Sequence, residues 1–263
     1  QLSPKEIFES YRKTRRGDEP LALFGVGGRT AAYYAGGQPL ILKDTQSALD
    51  WLMAGEPGTR RFLAVRAEEL ARLNRTYRER TKSGQNLPII DGRSSQIVLA
   101  ASSLADNEKN QNPLSRIVLS TPPQPQRKIE ANFDDKLQLL GVDITDANGR
   151  LVQTVRPGKK YHLKTYFKVL TPVTTEWTMF IHIDGFRRRH NGDHKVCQGK
   201  YPMTLWLPDD VIVDDHEFTL EPNFSPGPYT IYLGFFIGDQ RMKVKSGPSD
   251  KDDRVNAGTL RVQ

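Results

Sequence analysis

A proline-rich segment at 121–126 separates two parts of the chain that differ in periodicity. Its three prolines within four residues favour an extended linker, because proline fits neither a helix interior nor a central strand. Before this segment, apolar strand patterns alternate with helical patterns, and after it only strand patterns follow one another. We therefore predict two domains, at 1–121 and 128–263, joined by a linker at 122–127.

The first part is predicted to be an α/β domain with a Rossmann-like layered sheet. Short apolar runs such as 21–26 and 62–65 indicate strands, and helical spacing of apolar residues over 45–53 and 68–80 indicates helices. A further short helix is expected near 29–34. This alternation is typical of a sheet that contains parallel strands.

A glycine-rich turn follows the first predicted strand. Gly25-Val26-Gly27 matches the first two glycines of a dinucleotide-binding pattern, and Asp44 lies where a ribose-binding acid is expected. Thr30 replaces the third glycine, which would let the helix pack closely on the strand. Two interpretations stay open, a plain tight turn and the nucleotide site of a soluble enzyme, and the sequence favours the turn.

The helix predicted over 68–82 carries arginines away from its apolar face. Leu70, Leu73 and Tyr77 share one side, so the arginines on the other side are expected to be exposed. The net charge is +7, and its excess in the first half indicates an anionic partner such as a membrane surface. A solvated helix face is the alternative, and no nucleic-acid partner is expected. The candidate contacts for an anion or a lipid headgroup are Arg72, Arg75, Arg78 and Arg80.

The second part is predicted to be an all-β sandwich of jelly-roll type. Strand patterns rich in aromatic and β-branched residues recur at short spacing. Turn dipeptides such as Asn148-Gly149 and Pro157-Gly158 separate them.

The stretch 177–206 concentrates side chains that are able to bind a ligand. Alternation along its strand directs Ile181 and Ile183 towards the core and His182 and Asp184 to the opposite face. A bend at 191–193 could return the following histidine beside them. The sequence therefore indicates a weak candidate set of nitrogen and oxygen ligands for a divalent metal. Its members are His182, Asp184, His190, Asp193 and His194.

Other interpretations of this stretch stay open. A hydrogen-bonded turn with its arginines in solvent explains the same residues without a ligand and is favoured. In a sugar or anion site, Trp206 would offer a stacking face, but a role as a core tryptophan is favoured. No cofactor is required by any of these interpretations, and a divalent metal is expected only if the candidate metal ligands bind one. The full set of candidate ligand-binding residues is His182, Asp184, Arg187, Arg188, Arg189, His190, Asp193, His194 and Trp206.

No motif in the chain fixes a reaction. The motifs of serine hydrolases, zinc proteases, phosphate-binding loops and dithiol enzymes are absent from the sequence. Cys197, the one cysteine, is expected to be a packed small side chain, because no activating group accompanies it. We therefore assign no catalytic residue.

Several longer motifs carry a family resemblance. They include M-F-I-H-I-D-G at 179–185, G-K-Y-P-M-T-L-W-L-P-D-D at 199–210 and S-P-G-P-Y-T-I-Y-L-G-F-F at 225–236. Through these motifs the second part resembles the β-sandwich module of bacterial membrane glycosyltransferases of the dolichyl-phosphate-mannose-protein mannosyltransferase type, in the GT-C superfamily. The first part, with F-G-V-G-G-R-T at 24–30, is similar to the extracytoplasmic α/β region of such enzymes. The arginines at 187–189 depart from the family pattern.

The resemblance implies the periplasmic part of a membrane enzyme that uses a polyprenyl-phosphate-sugar donor. It implies three partners, which are the enzyme's own membrane domain, a lipid-linked sugar or glycan acceptor, and the surface of the bacterial inner membrane. Catalysis in such enzymes belongs to the membrane domain, so the chain is expected to be non-catalytic by itself. Because Gln1 directly precedes a helix start, we expect a piece of a longer protein. The alternative is a stand-alone exported carbohydrate-binding or adhesive module.

Overall fold

The computed structural model describes residues 4–27 and 37–263. The short helix expected near 29–34 lies outside the described residues. The chain forms two compact units, Gln1–Ser115 and Arg116–Gln263. It is mostly β-structure, distributed over several sheets.

The first unit contains a five-stranded sheet and helices that pack on it. The strands are β1 (Leu21–Phe24), β2 (Leu40–Leu42), β3 (Phe62–Arg66), β4 (Ile89–Asp91) and β5 (Ile97–Ala101). The helices are α1 (Pro4–Thr14), α2 (Thr45–Met53) and α3 (Leu70–Thr81), with short 3-10 helices at Ala67–Glu69 and Pro113–Arg116. The sheet order is β2-β1-β3-β5-β4, where β1 runs parallel to β2 and β3, and β5 runs antiparallel to β3 and β4. Of the helices that the structure describes, none has the length and apolar character that crossing a bilayer demands.

Both faces of the inner strands of the first unit's sheet, β1, β3 and β5, are buried, whereas the edge strand β2 is largely exposed. Ile7, Phe8 and Tyr11 of α1 recur at helical spacing and pack against one face. The ring of Tyr11 lies 5.3 Å from that of Phe62 on this side. Leu63, which projects to the opposite face, is buried as well. A sheet covered on both sides requires continuous apolar strands, and β1 and β3 have them.

Buried amide side chains hold the segment that follows α3. Asn74 donates from Nδ2 to Oδ1 of Asn86 at 3.0 Å, and its Oδ1 accepts the backbone N–H of Leu87 at 2.8 Å. Asn112 donates to the same Oδ1 at 3.1 Å. These bonds satisfy polar groups of a segment without regular structure, which allows it to be buried.

The second unit consists of two largely antiparallel sheets. The strands are β6 (Val118–Leu119), β7 (Arg127–Phe133), β8 (Leu137–Asp146), β9 (Thr154–Val155), β10 (Lys160–Val169), β11 (Thr178–Gly185), β12 (Arg188–Asn191), β13 (His194–Lys195), β14 (Val211–Thr219), β15 (Gly227–Ile237), β16 (Gln240–Arg241), β17 (Val244–Ser246) and β18 (Val255–Val262). One sheet has the order β17-β7-β8-β10-β14-β6, and the other has the order β12-β11-β15-β18-β9, with β13 paired to β11 and β16 paired to β15. Two 3-10 helices lie at Val196–Gly199 and Met203–Leu205.

The two sheets of the second unit pack face to face. Phe133 and Phe167 belong to the first of these sheets and Phe235 to the second, and all three side chains are buried. The ring centroid of Phe235 lies 5.1 Å from that of Phe133 and 5.3 Å from that of Phe167. The second unit is therefore sandwich-like.

The proline-rich segment belongs to the second unit. β6 precedes this segment and pairs with β14, and β7 begins at Arg127, inside the linker predicted at 122–127. Pro125 packs over Gly141 of β8, where a Cβ atom would lie 2.7 Å from the Cβ of Pro125. The division between the units follows Ser115, ahead of the predicted linker, and Pro125 lies against β8 of the second unit.

Candidate functional site

The β11–β12 hairpin carries most of the predicted site residues and separates them onto two faces. Residues opposite one another on antiparallel strands project to the same side of a sheet. His190 lies opposite Ile183, and His194 has the same inward orientation. His182 and Asp184 alternate with these inward positions on β11 and project outwards. The strand geometry thus divides the predicted metal set between the core side and the outer side of the sheet.

On the inner side, His194 joins the two sheets through Asp214. Its Nε2 lies 2.7 Å from Oδ2 of Asp214, and its Nδ1 lies 2.7 Å from the carbonyl oxygen of Gly192. Asp214 is fully buried in β14 and also accepts the backbone N–H of Cys197 at 2.6 Å. Burial by itself lowers the pKa of His194, but the hydrogen bond to Asp214 and its charge outweigh burial and leave the pKa raised. The contact therefore favours an imidazolium–carboxylate pair between the sheets.

His216 of β14 lies beside this pair and is held neutral. Its ring stacks on that of His194, with centroids 4.2 Å apart and 19° between the ring planes. Gly192 makes room for it, because a Cβ atom there would lie 2.6 Å from Nε2 of His216. Burial, and then the charge of His194, lower the pKa of His216 to about 4. Near neutral pH, the stack favours a charge on one imidazole only.

His190 extends the same inward row of the hairpin. Its ring centroid lies 6.0 Å from that of Phe218. Its Nδ1 is buried without a hydrogen bond to any residue that the structure describes, and it lies 3.5 Å from the carboxylate of Glu221. Side chains from β12 and β13 thus meet side chains from β14 along one edge of the sandwich. We call His190, His194, His216 and Asp214 the histidine clasp.

Cys197 is a buried thiol next to the histidine clasp. Its Sγ lies 3.6 Å from the carbonyl oxygen of Val213, to which it donates. Burial, and then the charge of Asp214, raise the pKa of the thiol well above its ordinary value. A thiol held in its protonated form is a poor nucleophile, in keeping with the packed side chain predicted from the sequence.

On the outer side, Asp184 lies between two arginines. Arg189 donates from two nitrogens to the two carboxylate oxygens, at 2.7 and 2.8 Å, and Arg254 donates at 3.2 Å. Burial alone raises the pKa of Asp184, but Arg189 and Arg254 outweigh it and leave the pKa lowered. The charge of this carboxylate is already neutralised by guanidinium groups, which leaves it poorly suited to a metal ion.

His182 is buried on the same outer face. Its ring centroid lies 4.8 Å from that of Phe180, and its Nε2 lies 3.9 Å from Oδ1 of Asp193. Its Nδ1 is buried and has no hydrogen-bond partner within residues 4–27 and 37–263. Burial, and then the charge of Arg189, lower the pKa of His182, so the neutral imidazole is favoured.

Arg187 and Arg188 are exposed at the tip of the hairpin. Gly185 lies opposite Arg188, so the turn consists of Phe186 and Arg187 alone. Both turn residues have positive φ, 50° and 59°, as a tight turn between twisted strands requires. The ring of Phe186 rests 5.3 Å from that of Tyr229 and is still 55% exposed.

Trp206 is a core residue and does not offer the stacking face that the sugar-site interpretation requires. Its side chain is buried, and its Nε1 donates to the carbonyl oxygen of Tyr201 at 3.0 Å. Trp206 belongs to the stretch that was predicted to bind a ligand, but its ring fills the interior of the second unit.

The arginines of α3 form only part of the exposed basic face expected from the helical pattern, since Arg72 and Arg80 are exposed, Arg75 is half-buried and Arg78 is buried. Arg78 is buried and donates to the carbonyl oxygen of Gly84 at 2.7 Å. Arg75 and Arg80 form ion pairs with nearby acidic side chains. Of the four candidates, Arg72 alone is exposed with no ion pair among the described residues. Helical periodicity predicts on which side of α3 the arginines lie. It does not predict that the segment after α3 covers part of that side.

Asp44 has a structural role at the start of α2. Its Oδ1 accepts the backbone N–H of Ser47 at 2.8 Å, while the side chain of Ser47 accepts the backbone N–H of Asp44. This reciprocal arrangement is a capping box, which satisfies backbone N–H groups at the helix start. The dinucleotide interpretation of the turn at Gly25 thereby loses the acidic residue on which it depended.

Within residues 4–27 and 37–263, no three His, Cys, Asp or Glu side chains are placed to hold a metal ion together. The predicted metal ligands lie on opposite faces of the hairpin, and two of the five, Asp184 and His194, hydrogen-bond to protein groups.

The comparisons with known proteins show low similarity. No family model and no curated protein matches the chain. The C-terminal domain of wzt is similar at 12% identity over 53% of this chain and 82% of that domain, with a TM-score of 0.35. A CARDB domain from Pyrococcus furiosus, solved in complex with di-metal ions, is similar at 12% identity over 49% of this chain and 94% of that domain, with a TM-score of 0.26. A Niemann-Pick type C2 protein from the Japanese carpenter ant is similar at 10% identity over 54% of this chain and all of that protein (100%), with a TM-score of 0.30. Likenesses at this level carry no argument about function.

Asp214 and His216, on which the histidine clasp depends, are not predicted as site residues by the sequence pattern. The signal was the alternation of β14, which directs both side chains inwards between Ile212 and Phe218. A charged residue at an inward position implies a buried partner. That partner, His194, lies 20 residues earlier in the chain, and no local pattern pairs the two.

Proposed function

We propose that this chain is the periplasmic region of a bacterial membrane glycosyltransferase of the GT-C type, similar to the dolichyl-phosphate-mannose-protein mannosyltransferases. The whole enzyme uses a polyprenyl-phosphate-sugar donor. The chain contributes acceptor or headgroup binding and structural support at the inner membrane, and the chemistry belongs to the membrane domain. In this proposal the first unit is a Rossmann-like α/β domain and the second is a jelly-roll-type sandwich.

The observation that carries the non-catalytic role is the structural use of the polar residues in the stretch 177–206. His194 bonds to the buried Asp214, and Asp184 is neutralised by arginines. Cys197 is buried with a raised pKa. Acid–base or nucleophilic catalysis needs a group that is free to meet a substrate. Engagement of these groups within the fold supports a binding or supporting role.

The sheet of the first unit supports its assignment as a Rossmann-like domain. β1 lies between β2 and β3 and is parallel to both, so the chain crosses from one side of β1 to the other. Doubly wound α/β sheets have this crossover. The antiparallel strands β4 and β5 extend the sheet at one edge.

The size and location of the natural protein test the proposal. An antibody raised against this 29.8 kDa chain should detect a much larger polypeptide in the membrane fraction of the source cells. Protease added to spheroplasts should degrade the epitope, because the region faces the periplasm. The reading frame before Gln1 should encode several apolar segments of about 20 residues. A soluble product close to the size of this chain would contradict the proposal.

The stand-alone carbohydrate-binding module is the second candidate, and one observation favours it. Phe186 presents a half-exposed aromatic ring beside Arg187. The burial of Trp206 removes the other predicted stacking face. A glycan array probed with the purified chain distinguishes the two candidate functions. A carbohydrate-binding module should bind a glycan, and the variant Phe186→Ala should lose this binding. A flat response would contradict this second candidate.

A further inference from the structure

The turns at one end of the second unit concentrate positive charge. This end is formed by residues 146–160, 185–188 and 219–227, which we call the basic end. These segments hold six Lys and Arg residues against two Asp and Glu residues. The six cationic side chains, all exposed, are Arg150, Arg156, Lys159, Lys160, Arg187 and Arg188. Only Lys160 has an acidic partner within 4 Å among the described residues, so five charges are available to a ligand.

Hydrogen bonds and packing bring the segments of the basic end together. The N–H of Gly158 donates to the carbonyl oxygen of Leu220 at 2.9 Å, which joins the first segment to the third. The ring of Phe186 lies against Gly227, where a Cβ atom would be only 2.5 Å from the ring, which joins the second segment to the third. The charges therefore lie on one end of the sandwich, although they are dispersed in the sequence.

The opposite end of the second unit has the opposite charge. Its connecting segments, at 134–136, 170–177, 196–210 and 238–254, contain nine Asp and Glu residues against seven Lys and Arg residues. A molecule with this asymmetry turns its basic end towards an anionic surface, because the acidic end is repelled by it.

Two apolar side chains project from the basic end. Leu151 and Phe186, each 55% exposed, are the most exposed large apolar side chains of the second unit within the described part of the chain. They come from different turns, after β8 and after β11. An apolar tip surrounded by cations fits a phospholipid interface, where it enters the headgroup region while the cations contact phosphates. A nucleic acid offers no comparable environment to an exposed leucine.

The turn that presents Phe186 is strained. Phe186 and Arg187 occupy the left-handed region of backbone conformation, which asparagine and glycine adopt with less strain. A strained turn that exposes an aromatic ring and an arginine indicates that these side chains serve a purpose other than stability.

We propose that the basic end docks on an anionic phospholipid surface, with Phe186 and Leu151 in the headgroup region and the surrounding arginines on lipid phosphates. This docking proposal rests on the proposed function in one respect only, which is that the anionic surface is a bacterial bilayer. It adds the face of the chain that meets the membrane and the residues that make the contact.

Co-sedimentation of the 263-residue chain with lipid vesicles tests the docking. The vesicles contain phosphatidylcholine alone or phosphatidylcholine with about one third phosphatidylglycerol, in ~50 mM and ~500 mM salt. We expect binding only to the anionic vesicles, and its loss at high salt. Equal partitioning into both vesicle types, or no binding at low salt, would overturn the proposal.

Two neighbouring substitutions separate charge from folding. Arg187→Gly and Arg188→Gly each remove one cation, the first at a position of positive φ and the second inside β12. We expect each to lower the partition coefficient about fivefold, as loss of one interfacial cation predicts. Lys251→Gln, at the opposite end, is the control and should bind like the unchanged chain. Wild-type binding by Arg187→Gly, or an equal loss in Lys251→Gln, would refute the docking.

Phe186→Ser distinguishes a lipid surface from other polyanions. We expect about tenfold weaker binding to anionic vesicles from loss of the buried ring, with unchanged retention on single-stranded DNA. A thermal melt verifies that the variant is folded. If Phe186→Ser binds vesicles like the unchanged chain, the surface is a general polyanion site and the proposal fails. The vesicles contain no sugar or membrane domain, so this failure would leave the proposed function untouched. A small soluble natural product would refute that function alone.

Discussion

A single inward carboxylate, that of Asp214, determines the chemical state of its neighbours. It accepts bonds from His194 and from the N–H of Cys197. It raises the pKa of His194 against the effect of burial, and together with burial it raises that of the Cys197 thiol. Because a buried charge is costly without a partner, Asp214 and His194 are interdependent.

Removal of this carboxylate should destabilise the second unit strongly. We expect Asp214→Ala to lower the free energy of unfolding by about 3 kcal/mol, since His194 and the N–H of Cys197 lose their buried acceptor. Asp215→Ala is the matched control on the same strand. Its carboxylate is 43% exposed and pairs with His162 at the surface, so the cost should stay below about 1 kcal/mol. Similar costs for both variants in urea denaturation would contradict the assignment of Asp214.

His216 should make the second unit sensitive to acid. Its pKa is lowered to about 4 by burial and by the charge of His194. An unfolded histidine has a pKa of about 6.5, so the unfolded state binds a proton between these values and the folded state does not. Stability therefore decreases as the pH falls through this window, by up to roughly 3 kcal/mol. The effect of His194 on stability depends on pH in the opposite direction. Its stabilising contribution is complete below the pKa of the unfolded state and is lost as the pH rises through the raised pKa of the folded state.

The variant His216→Phe isolates this contribution. It keeps an aromatic ring over His194 but cannot take up a proton, so its stability should decrease less between pH ~6.5 and ~4. Urea denaturation at several pH values gives the difference profile. Parallel profiles for the variant and the unchanged chain would show that His216 does not titrate as described.

At the scale of elements, the β11–β12 hairpin shows what strand alternation can and cannot predict. The outward orientation of His182 and Asp184 followed from alternation alone. The position at which the chain turns back could not be predicted in this way. The sequence signals a bend at 191–193, whereas the turn lies at Phe186 and Arg187. Phe-Arg carries no turn signal, since the favoured residues are Asn-Gly and Asp-Gly. The position of the turn decides which histidines face the core, so the divided metal set could not be foreseen.

The strain in this turn predicts opposite effects for two adjacent substitutions. Arg187→Gly should raise the free energy of unfolding by about 0.5–1 kcal/mol, because glycine adopts positive φ without a steric penalty. Arg188→Gly should lower it by a similar amount, because glycine weakens a strand. Urea denaturation at neutral pH measures both changes. A loss of stability in Arg187→Gly would contradict the strain.

For the whole molecule, the sequence predicts the change from mixed to all-strand periodicity but not the distribution of charge. The second half contains many acidic and basic residues in similar numbers, and composition alone suggests a neutral surface. The order of the strands sorts their connecting turns into a basic and an acidic end. The burial of Arg78 likewise depends on a segment without periodicity. The charge distribution follows from long-range strand pairing, and the burial of Arg78 follows from an irregular segment that begins just after α3; local periodicity encodes neither.

The amide network of the first unit has a consequence for production of the protein in a eukaryotic secretory pathway. Asn74-Arg75-Thr76 is an acceptor sequence for N-linked glycans. In the folded unit Asn74 is fully buried, and its Nδ2 bonds to Asn86. An oligosaccharide attached to Nδ2 during translocation would have no exit from this interior. Secretion from such a host would therefore yield chains whose first unit cannot close, unless the acceptor sequence is removed at Thr76.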